Sequence, residues 1–189
     1  MAEKHILAVC FDFGDTLVDE ASEVKDEAQT TLRAELIPGA AELLNELNRR
    51  GYPLGLVADG RPGTYSNVLG HYGLDKFFNA WSVSEELGLL KPDRRMFVHA
   101  LERLGIGPEQ YGRTLMVGNR LERDVRGANG LGMISVWMDW SPRYAKLAAD
   151  PSEQPHFRVR EPLEVLNVID ELERRAGSGQ RSDRGDPAS

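Results

Sequence analysis

The stretch Val9–Leu17, VCFDFGDTL, joins an apolar run to two carboxylates, a glycine and a threonine. Residues Ile6–Phe11 are all apolar and rich in strand-forming types, which predicts a buried strand that ends at Asp12. A carboxylate held at a strand end can attack a phosphorus or carbon centre when a cation offsets the charge it faces. The stretch therefore predicts a strand whose carboxyl end carries chemistry.

Length and composition limit what this motif can belong to. The 189 residues suffice for one domain with a sizeable core and are few for two. With 30 acidic against 23 basic residues, the net charge of -7 argues against a nucleic-acid or acidic-membrane surface. Cys10 is the only cysteine, so no intrachain disulfide can form, and no apolar run approaches the roughly 20 residues of a membrane span. We expect a cytoplasmic protein with no membrane or nucleic-acid partner.

Apolar strands alternate with amphipathic helical segments, a pattern typical of a parallel sheet covered on both faces. The predicted strands are Ile6–Phe11, Leu54–Ala58, Trp81–Val83, Thr114–Val117 and Ile134–Met138. The predicted helices are Ala40–Arg50, Arg94–Leu104, Val125–Leu131 and Leu163–Arg174. This order predicts an α/β fold, a Rossmann-like doubly wound sheet in three α/β/α layers, over a single domain of residues 1–176. Residues 177–189 have nothing apolar to bury and are predicted to be a disordered tail.

In a doubly wound sheet, ligands bind outside the carboxyl ends of the strands. The polar residues of this chain that follow predicted strands are Asp12, Asp59, Gly60, Lys91, Asn119 and Asp124. Lys91 is a suitable cation to face Asp12. We therefore expect these side chains to meet at one edge of the sheet.

The order of these motifs resembles the haloacid dehalogenase-like (HAD) superfamily. FDxxxTL is followed by KPD at 91–93 and by G-N-x-x-x-x-D-V-x-G-A at 118–128. The resemblance covers about Ile6–Met138 and is strongest to phosphatase-type members. It implies a Rossmann-like sheet, an aspartate nucleophile that forms a covalent aspartyl intermediate, and usually a bound magnesium ion.

Carried over by position, the resemblance implies roles for individual residues. Asp12 would be the nucleophile, and Lys91 would steady it and the transferring phosphoryl group. Magnesium would be held by Asp12, the carbonyl of Gly14, Asn119 and Asp124. The end of the second strand, at Ala58, Asp59, Gly60 and Arg61, would bind the substrate, with Arg61 within reach of phosphate.

Three positions depart from the phosphatase pattern. Gly14 replaces a second aspartate that acts as general acid and base, and loss of such help costs on the order of 10²- to 10⁴-fold in rate. Ala58 replaces a serine or threonine, which removes one phosphate hydrogen bond worth about 1.5–3 kcal/mol. Asn119 replaces an acid, which weakens magnesium binding without abolishing oxygen ligation.

Asp15 is the candidate stand-in for the missing acid. Residues three apart in extended backbone do not share a face, so its carboxylate would point away from the target of Asp12. A turn at Gly14 could bring it round. Alternatively, Asp15 caps the following segment. The sequence leaves both readings open.

The chain has little room for a cap domain over the site. Only 20 residues, 18–37, separate the first motif from Pro38, and we predict a short helical stub there, over Glu20–Leu36. A second candidate cover is the 16-residue connection Ser141–His156. By the family resemblance, a site without a cap is open, which suits bulky substrates or closure by a neighbouring subunit. We therefore keep a homo-oligomer as one alternative.

Three functions are compatible with these residues. The first is a slow or narrow magnesium-dependent phosphohydrolase that acts through Asp12 on a small phosphorylated molecule or a phosphorylated macromolecule. The second is a metal-independent haloacid dehalogenase-type hydrolase. The resemblance links it to Gly14 and Asn119, but its asparagine and aspartate lie closer together than Asn119 and Asp124, and its pocket depends on a cap. The third is a catalytically silent module that binds a ligand or a protein. The retention of Asp12 with Lys91 and Asp124 favours chemistry.

Overall fold

The computed structural model describes residues 4–182. Its strands are β1 (Ala8–Phe11), β2 (Val24–Lys25), β3 (Thr31–Arg33), β4 (Leu54–Ala58), β5 (Phe78–Val83), β6 (Thr114–Gly118), β7 (Ile134–Met138) and β8 (Phe157–Val159). Its α-helices are α1 (Ala40–Arg49), α2 (Pro62–His71), α3 (Ser84–Leu87), α4 (Arg94–Arg103), α5 (Arg126–Asn129) and α6 (Glu164–Ser182). Short 3₁₀ turns lie at Glu20–Ser22, Asp75–Phe77, Pro108–Arg113 and Pro151–Glu153, and a π-helical turn lies at Leu121–Val125.

Six parallel strands form the central sheet in the order β5-β4-β1-β6-β7-β8. Strand β1 lies inside it, with Val9 opposite Leu54 of β4 and opposite Leu115 of β6. From β1 the chain builds outward through β4 and β5, then returns to the other side of β1 and builds outward again. The strand order therefore reverses beside β1, where a doubly wound sheet places its ligand site.

The sheet is covered on both faces, as predicted. Along β1, Val9 and Phe11 pack in one core with α1, α2 and α6, whereas Ala8 and Cys10 pack in another with α4 and α5. This division follows from the two-residue period of a strand. The doubly wound α/β/α fold is confirmed.

Most predicted elements are present with small shifts of their ends. The predictions for β4 and β7 match the observed bounds, while β5 begins at Phe78, three residues before the predicted start. The sequence reading missed β8. No helix within residues 4–182 is both long and apolar enough to cross a membrane.

The helical stub predicted for residues 18–37 is wrong. This segment contains the 3₁₀ turn at Glu20–Ser22 and the antiparallel hairpin of β2 and β3. Tertiary contacts decide its structure, because the N–H of Thr31 donates to Thr64 Oγ1 at 3.0 Å and Asn67 Nδ2 donates to the Thr31 carbonyl at 3.0 Å. Val24, Ala28 and Leu32 have the spacing of a helix face, but this face is not buried in the structure, since Val24 is 57% exposed and Leu32 is 45% exposed.

The disordered tail predicted from residue 177 is also partly wrong. Helix α6 continues to Ser182, eight residues past the predicted end at Arg174. A glycine within a helix costs about 1 kcal/mol, which weakens the helix without ending it. Ser178 contributes a hydrogen bond from its hydroxyl to the carbonyl of Arg175 at 2.8 Å. The rest of the predicted tail, 183–189, lies outside the described residues.

Glu173 on α6 fixes the chain just before β1. Its carboxylate accepts hydrogen bonds from the backbone N–H groups of His5 at 2.8 Å and Ile6 at 3.0 Å, and from the hydroxyl of Tyr52 at 3.1 Å. Partial burial alone would raise the pKa of Glu173, but these hydrogen bonds outweigh it and hold the pKa below its usual range. These three hydrogen bonds, the Glu173 clasp, therefore stabilise the fold while Glu173 is ionised.

Replacement of Glu173 by Gln should lower the free energy of unfolding at pH 7 by about 1–2 kcal/mol, because the strong charged acceptor is lost. Since the folded-state pKa is depressed, this stabilisation is present above the unfolded pKa of about 4.3 and disappears as pH falls through the lower folded value. Urea denaturation at several pH values measures it. Glu171→Gln, which removes only a surface pair with Arg175, is the control. Equal losses in both variants at pH 7 would contradict the clasp.

Candidate active site

A cavity of about 500 Å³ opens at the carboxyl ends of β1, β4 and β6. It lies at the reversal of strand order beside β1. Its walls come from the loop after β1, the β2–β3 hairpin, the loop after β4, and the segment after β6. Its charged and polar lining residues include Asp12, Glu20, Glu23, Lys25, Thr31, Asp59, Arg61, Thr64, Lys91, Asn119, Arg120, Arg123 and Arg143.

Three predicted residues meet in one buried ion-pair group at the base of this cavity. Lys91 Nζ donates to Asp12 Oδ1 at 2.6 Å and to Asp124 Oδ1 at 2.7 Å. All three side chains are buried. Burial alone would lower the pKa of Lys91, but the charges of Asp12, Asp124 and Asp59 outweigh it and raise the pKa above its usual value. Lys91 is therefore a permanent ammonium facing Asp12.

Asp124 lies in the π-helical turn that follows β6. Its Oδ2 accepts the backbone N–H of Arg120 at 2.9 Å. A Cβ atom at Gly118 would lie only 2.3 Å from Asp124 Cγ, so glycine at this position lets the carboxylate approach. Burial raises the pKa of Asp124 and the charge of Asp12 adds to this, while Lys91 opposes both. With both carboxylates ionised the group carries a net negative charge, which favours a further cation.

The loop after β4 positions Lys91 as well as lining the cavity. Asp59 Oδ1 accepts the backbone N–H of Lys91 at 3.0 Å, and Asp59 Oδ2 accepts from Arg123 Nη1 at 3.0 Å. Of the four residues predicted to bind substrate, Asp59, Gly60 and Arg61 line the cavity, whereas Ala58 is buried at the end of β4. The Asp59 carboxylate is thus engaged by the protein, and Arg61 is the group of this loop best placed for an anion.

The four predicted metal ligands supply hard oxygen atoms, the type that magnesium prefers. Only Asp12 and Asp124 are carboxylates, and within residues 4–182 no group of three or more His, Cys, Asp or Glu side chains has the arrangement of a metal site. Asn119 is buried, and within residues 4–182 its Nδ2 has no hydrogen-bond partner. The oxygen of a bound phosphate, or a water molecule on a bound metal ion, could accept the hydrogen bond that this amide N–H leaves unmade. The set fits a weakly held magnesium ion completed by water and ligand.

Glu20 occupies the space beside Gly14. A Cβ atom at Gly14 would lie 2.2 Å from Glu20 Oε1 and 2.7 Å from its Cγ. Tyr144 donates a hydrogen bond from its hydroxyl to Glu20 Oε2 at 2.5 Å. Burial raises the pKa of Glu20, the Tyr144 hydrogen bond opposes the shift, and the charges of Asp15 and Asp12 add to it. The carboxyl group of Glu20 therefore lies where a side chain at position 14 would begin.

Asp15 faces away from the cavity. It is fully buried with a left-handed backbone, φ 49°. Its Oδ1 accepts the N–H of Glu20 at 3.1 Å, and both carboxylate oxygens accept from the guanidinium of Arg143, with Oδ2 at 2.9 Å from Nε. The turn directs this carboxylate to its own loop and to Arg143, so the predicted catalytic role has no support in its placement. The capping alternative describes Asp15 better.

Sequence reasoning missed Glu20, Arg120 and Arg143 as residues of the site. Glu20 and Tyr144 are 124 positions apart, so no local pattern links them. The guanidinium of Arg120 stacks on the Tyr144 ring at 4.0 Å from its centroid. Tyr144 thus holds Glu20 through its hydroxyl and Arg120 through its ring.

Replacement of Asp15 by Asn should destabilise the fold by about 1.5–3 kcal/mol, because Arg143 loses a buried charged acceptor. The backbone amides around Arg143 and Tyr144 should then exchange hydrogen faster. Urea denaturation and hydrogen exchange measure the two effects. Asp19→Asn is the control, since Asp19 also contacts Arg143, at 3.1 Å, but lies partly in solvent. Unchanged stability with a loss of turnover would instead support a catalytic Asp15.

Comparison with known proteins places this chain in a family. The family model for haloacid dehalogenase-like hydrolases matches residues 26–132. The chain is 34% identical over 71% of its length to glyceraldehyde 3-phosphate phosphatase of Methanopyrus kandleri, covering 57% of that protein. It is 38% identical over 71% of its length to phosphoserine phosphatase of Thermus thermophilus, covering 51% of that protein. The chain thus spans little more than half the length of these curated relatives.

A solved structure supports the same fold. The HAD-hydrolase YfnB of Bacillus subtilis, solved with magnesium bound, superposes with a TM-score of 0.71 at 20% identity, over 89% of this chain and 100% of that one. At this identity the likeness concerns the fold alone. The family model matches more than half of the chain, and this match shows that the chain belongs to the haloacid dehalogenase-like hydrolases.

Proposed function

We propose that this chain is a magnesium-dependent phosphohydrolase that transfers the phosphoryl group of a small phosphate ester to Asp12 and then to water. The observation that carries the proposal is the Asp12 carboxylate at the end of β1, 2.6 Å from a buried ammonium and open to a polar cavity. The two curated relatives described above, which are phosphatases by name, support the same chemistry.

The chain's own residues account for most of the transfer. Lys91 holds Asp12 Oδ1, which leaves Oδ2 to form a bond to phosphorus as the ester P–O bond breaks. The ammonium also offsets charge on the phosphoryl oxygens. Water then attacks the aspartyl phosphate, the bond to Asp12 breaks, and inorganic phosphate leaves. Asp124 keeps Lys91 in place through the 2.7 Å hydrogen bond to its ammonium.

Asp12, the carbonyl of Gly14, Asn119 and Asp124 would hold the magnesium ion, which when bound supplies further neutralisation of the phosphoryl charge. The side-chain oxygen of Asn119 is a neutral metal ligand in place of a charged one, so we expect a weaker affinity for magnesium than a third carboxylate would give. The unpartnered Nδ2 of Asn119 supports a ligand at this point of the cavity.

The cavity supports a small substrate with acidic character. Its volume of about 500 Å³ is within the range of small-molecule sites. Besides Lys91, the lining cations are Lys25, Arg61, Arg120, Arg123 and Arg143. They surround the cavity from the hairpin, from the loop after β4 and from the segments after β6 and β7. A small phosphate ester therefore suits the site better than a phosphorylated macromolecule does.

Replacement of Asp12 by Asn should reduce hydrolysis of p-nitrophenyl phosphate and acetyl phosphate to background, because the nucleophile is lost. In the wild type, removal of magnesium with EDTA should abolish turnover and re-addition should restore it. Acid quenching during turnover followed by peptide mapping should locate a phosphoryl group on Asp12.

Asp75→Asn changes an exposed aspartate on another face and should leave these activities unchanged. Turnover retained by Asp12→Asn would overturn the proposal. Halide release from 2-haloacids without metal would indicate the dehalogenase alternative. Phosphate-dependent thermal stabilisation without any turnover would indicate a binding module.

Replacement of Asn119 by Asp should lower the magnesium concentration needed for half-maximal activity by about tenfold, equivalent to ~1.4 kcal/mol, because a charged ligand replaces a neutral one. The backbone there is held by Trp137, whose Nε1 donates to the Asn119 carbonyl at 3.1 Å, so the change is local. Magnesium titration of activity measures it, with the exposed Asn48→Asp as control. An unchanged magnesium requirement would exclude Asn119 from the metal site.

A further inference from the structure

We propose, resting on the phosphohydrolase function above, that Glu20 is the general acid and base of this site and replaces the side chain that Gly14 lacks. Glu20 and Gly14 line the same cavity as Asp12. The acid for proton transfer thus comes from position 20, six residues after the position where the family resemblance implies it.

The Glu20 carboxyl group fills the space that a side chain at position 14 would need. A Cβ atom at Gly14 would lie 2.2 Å from Oε1, 2.7 Å from Cγ and 2.8 Å from Cδ of Glu20. These distances are shorter than any non-bonded contact between such atoms, so the Glu20 carboxyl group and a side chain at position 14 exclude each other. Gly14 is therefore required by the position of Glu20.

Hydrogen bonds fix Glu20 at both its backbone and its carboxyl end. The backbone N–H of Glu20 donates to Asp15 Oδ1 at 3.1 Å. At the other end, Oε2 accepts the Tyr144 hydroxyl at 2.5 Å, and the Tyr144 ring stacks on the guanidinium of Arg120. With Oε2 held by Tyr144, Oε1 is the oxygen that remains for proton transfer. A carboxyl group held in this way, in the wall of the cavity that Asp12 lines, is a candidate general acid.

The other acids near the cavity are engaged elsewhere. Asp15 points to Arg143, as described above. Glu23 accepts the hydroxyl of Thr31 at 3.1 Å through Oε1 and pairs with Lys25 at 2.8 Å through Oε2. Asp59 is bound by Lys91 and Arg123. Glu20 is therefore the acid best placed to serve the leaving group.

Glu20 gives up one proton in the first half-reaction and takes one back in the second. As Asp12 Oδ2 bonds to phosphorus and the ester bond breaks, the leaving oxygen keeps the electron pair and takes the proton from the Glu20 carboxyl group. In the second half-reaction, the Glu20 carboxylate takes a proton from water while the water oxygen bonds to phosphorus and the bond to Asp12 breaks. The sum is ester plus water giving alcohol plus phosphate, with Asp12 and Glu20 restored.

The test compares Glu20→Gln with the wild type on substrates with good and poor leaving groups. For an alkyl phosphate, kcat/KM should fall on the order of 10²- to 10⁴-fold, because the leaving alkoxide needs a proton. For acetyl phosphate, whose leaving group needs none, the fall should be less than about tenfold. Tyr144→Phe should shift the same ratio in the same direction by a smaller amount.

Glu23→Gln is the matched control, since it removes another carboxylate of the cavity wall and should not change the ratio between the two substrates. An equal fall on both substrates, or no fall on either, in Glu20→Gln would overturn the role of Glu20 while leaving Asp12 chemistry intact. Absence of turnover of either substrate by the wild type would instead overturn the proposed function, and the role of Glu20 with it.

A second pair of variants tests the steric exclusion. Gly14→Asp alone should lower activity on the alkyl phosphate, because the new side chain displaces Glu20. Gly14→Asp combined with Glu20→Ala should recover activity relative to Glu20→Ala alone, since the acid then returns to position 14. No recovery in the double variant, with folding verified by circular dichroism, would count against the exchange of roles.

Discussion

The buried ammonium of Lys91 between Asp12 and Asp124 is the interaction on which the site depends. It ties the end of β1 to the π-helical turn after β6 and to the loop before α4. Removing one partner of a buried ion pair typically costs about 3–5 kcal/mol, because the remaining charge is left uncompensated. The same contacts that hold the Asp12 carboxylate at the cavity therefore also hold together the carboxyl edge of the sheet. In the proposed function, stability and chemistry would share these three residues.

The two acids of the opening motif belong to different networks. Asp12 faces the cavity and Lys91, whereas Asp15, three residues later, turns back and binds Arg143. Arg143 precedes Tyr144, which in turn holds Glu20. Asp15 therefore acts on the cavity only indirectly, by fixing the loop that carries Tyr144. The left-handed backbone at Asp15 is what separates the two directions.

The parts that the sequence predicted are those decided locally. Leu54–Ala58 and Ile134–Met138 are apolar runs that have few alternatives to a buried strand. The order of the motifs predicted Asp12, Lys91 and Asp124 as site residues. Their contact follows because all three lie near the carboxyl ends of neighbouring strands. The β2–β3 hairpin was missed because the contact of Thr31 with Thr64, far away in sequence, overrides a helix-like spacing. Glu20 was missed for the same reason, since its partner Tyr144 lies in a distant loop.

A glycine where the family resemblance implies a second acid suggests lost activity when the position is considered alone. The structure changes that inference, because the space beside Gly14 is filled by a carboxyl group from Glu20. Either residue can supply an acid at this point, but both cannot, since their side chains would overlap. Gly14, Glu20 and Tyr144 therefore form one functional unit, in which glycine at position 14 is a condition for the acid at position 20. The absence of an acid at one position is thus not the absence of an acid at the site.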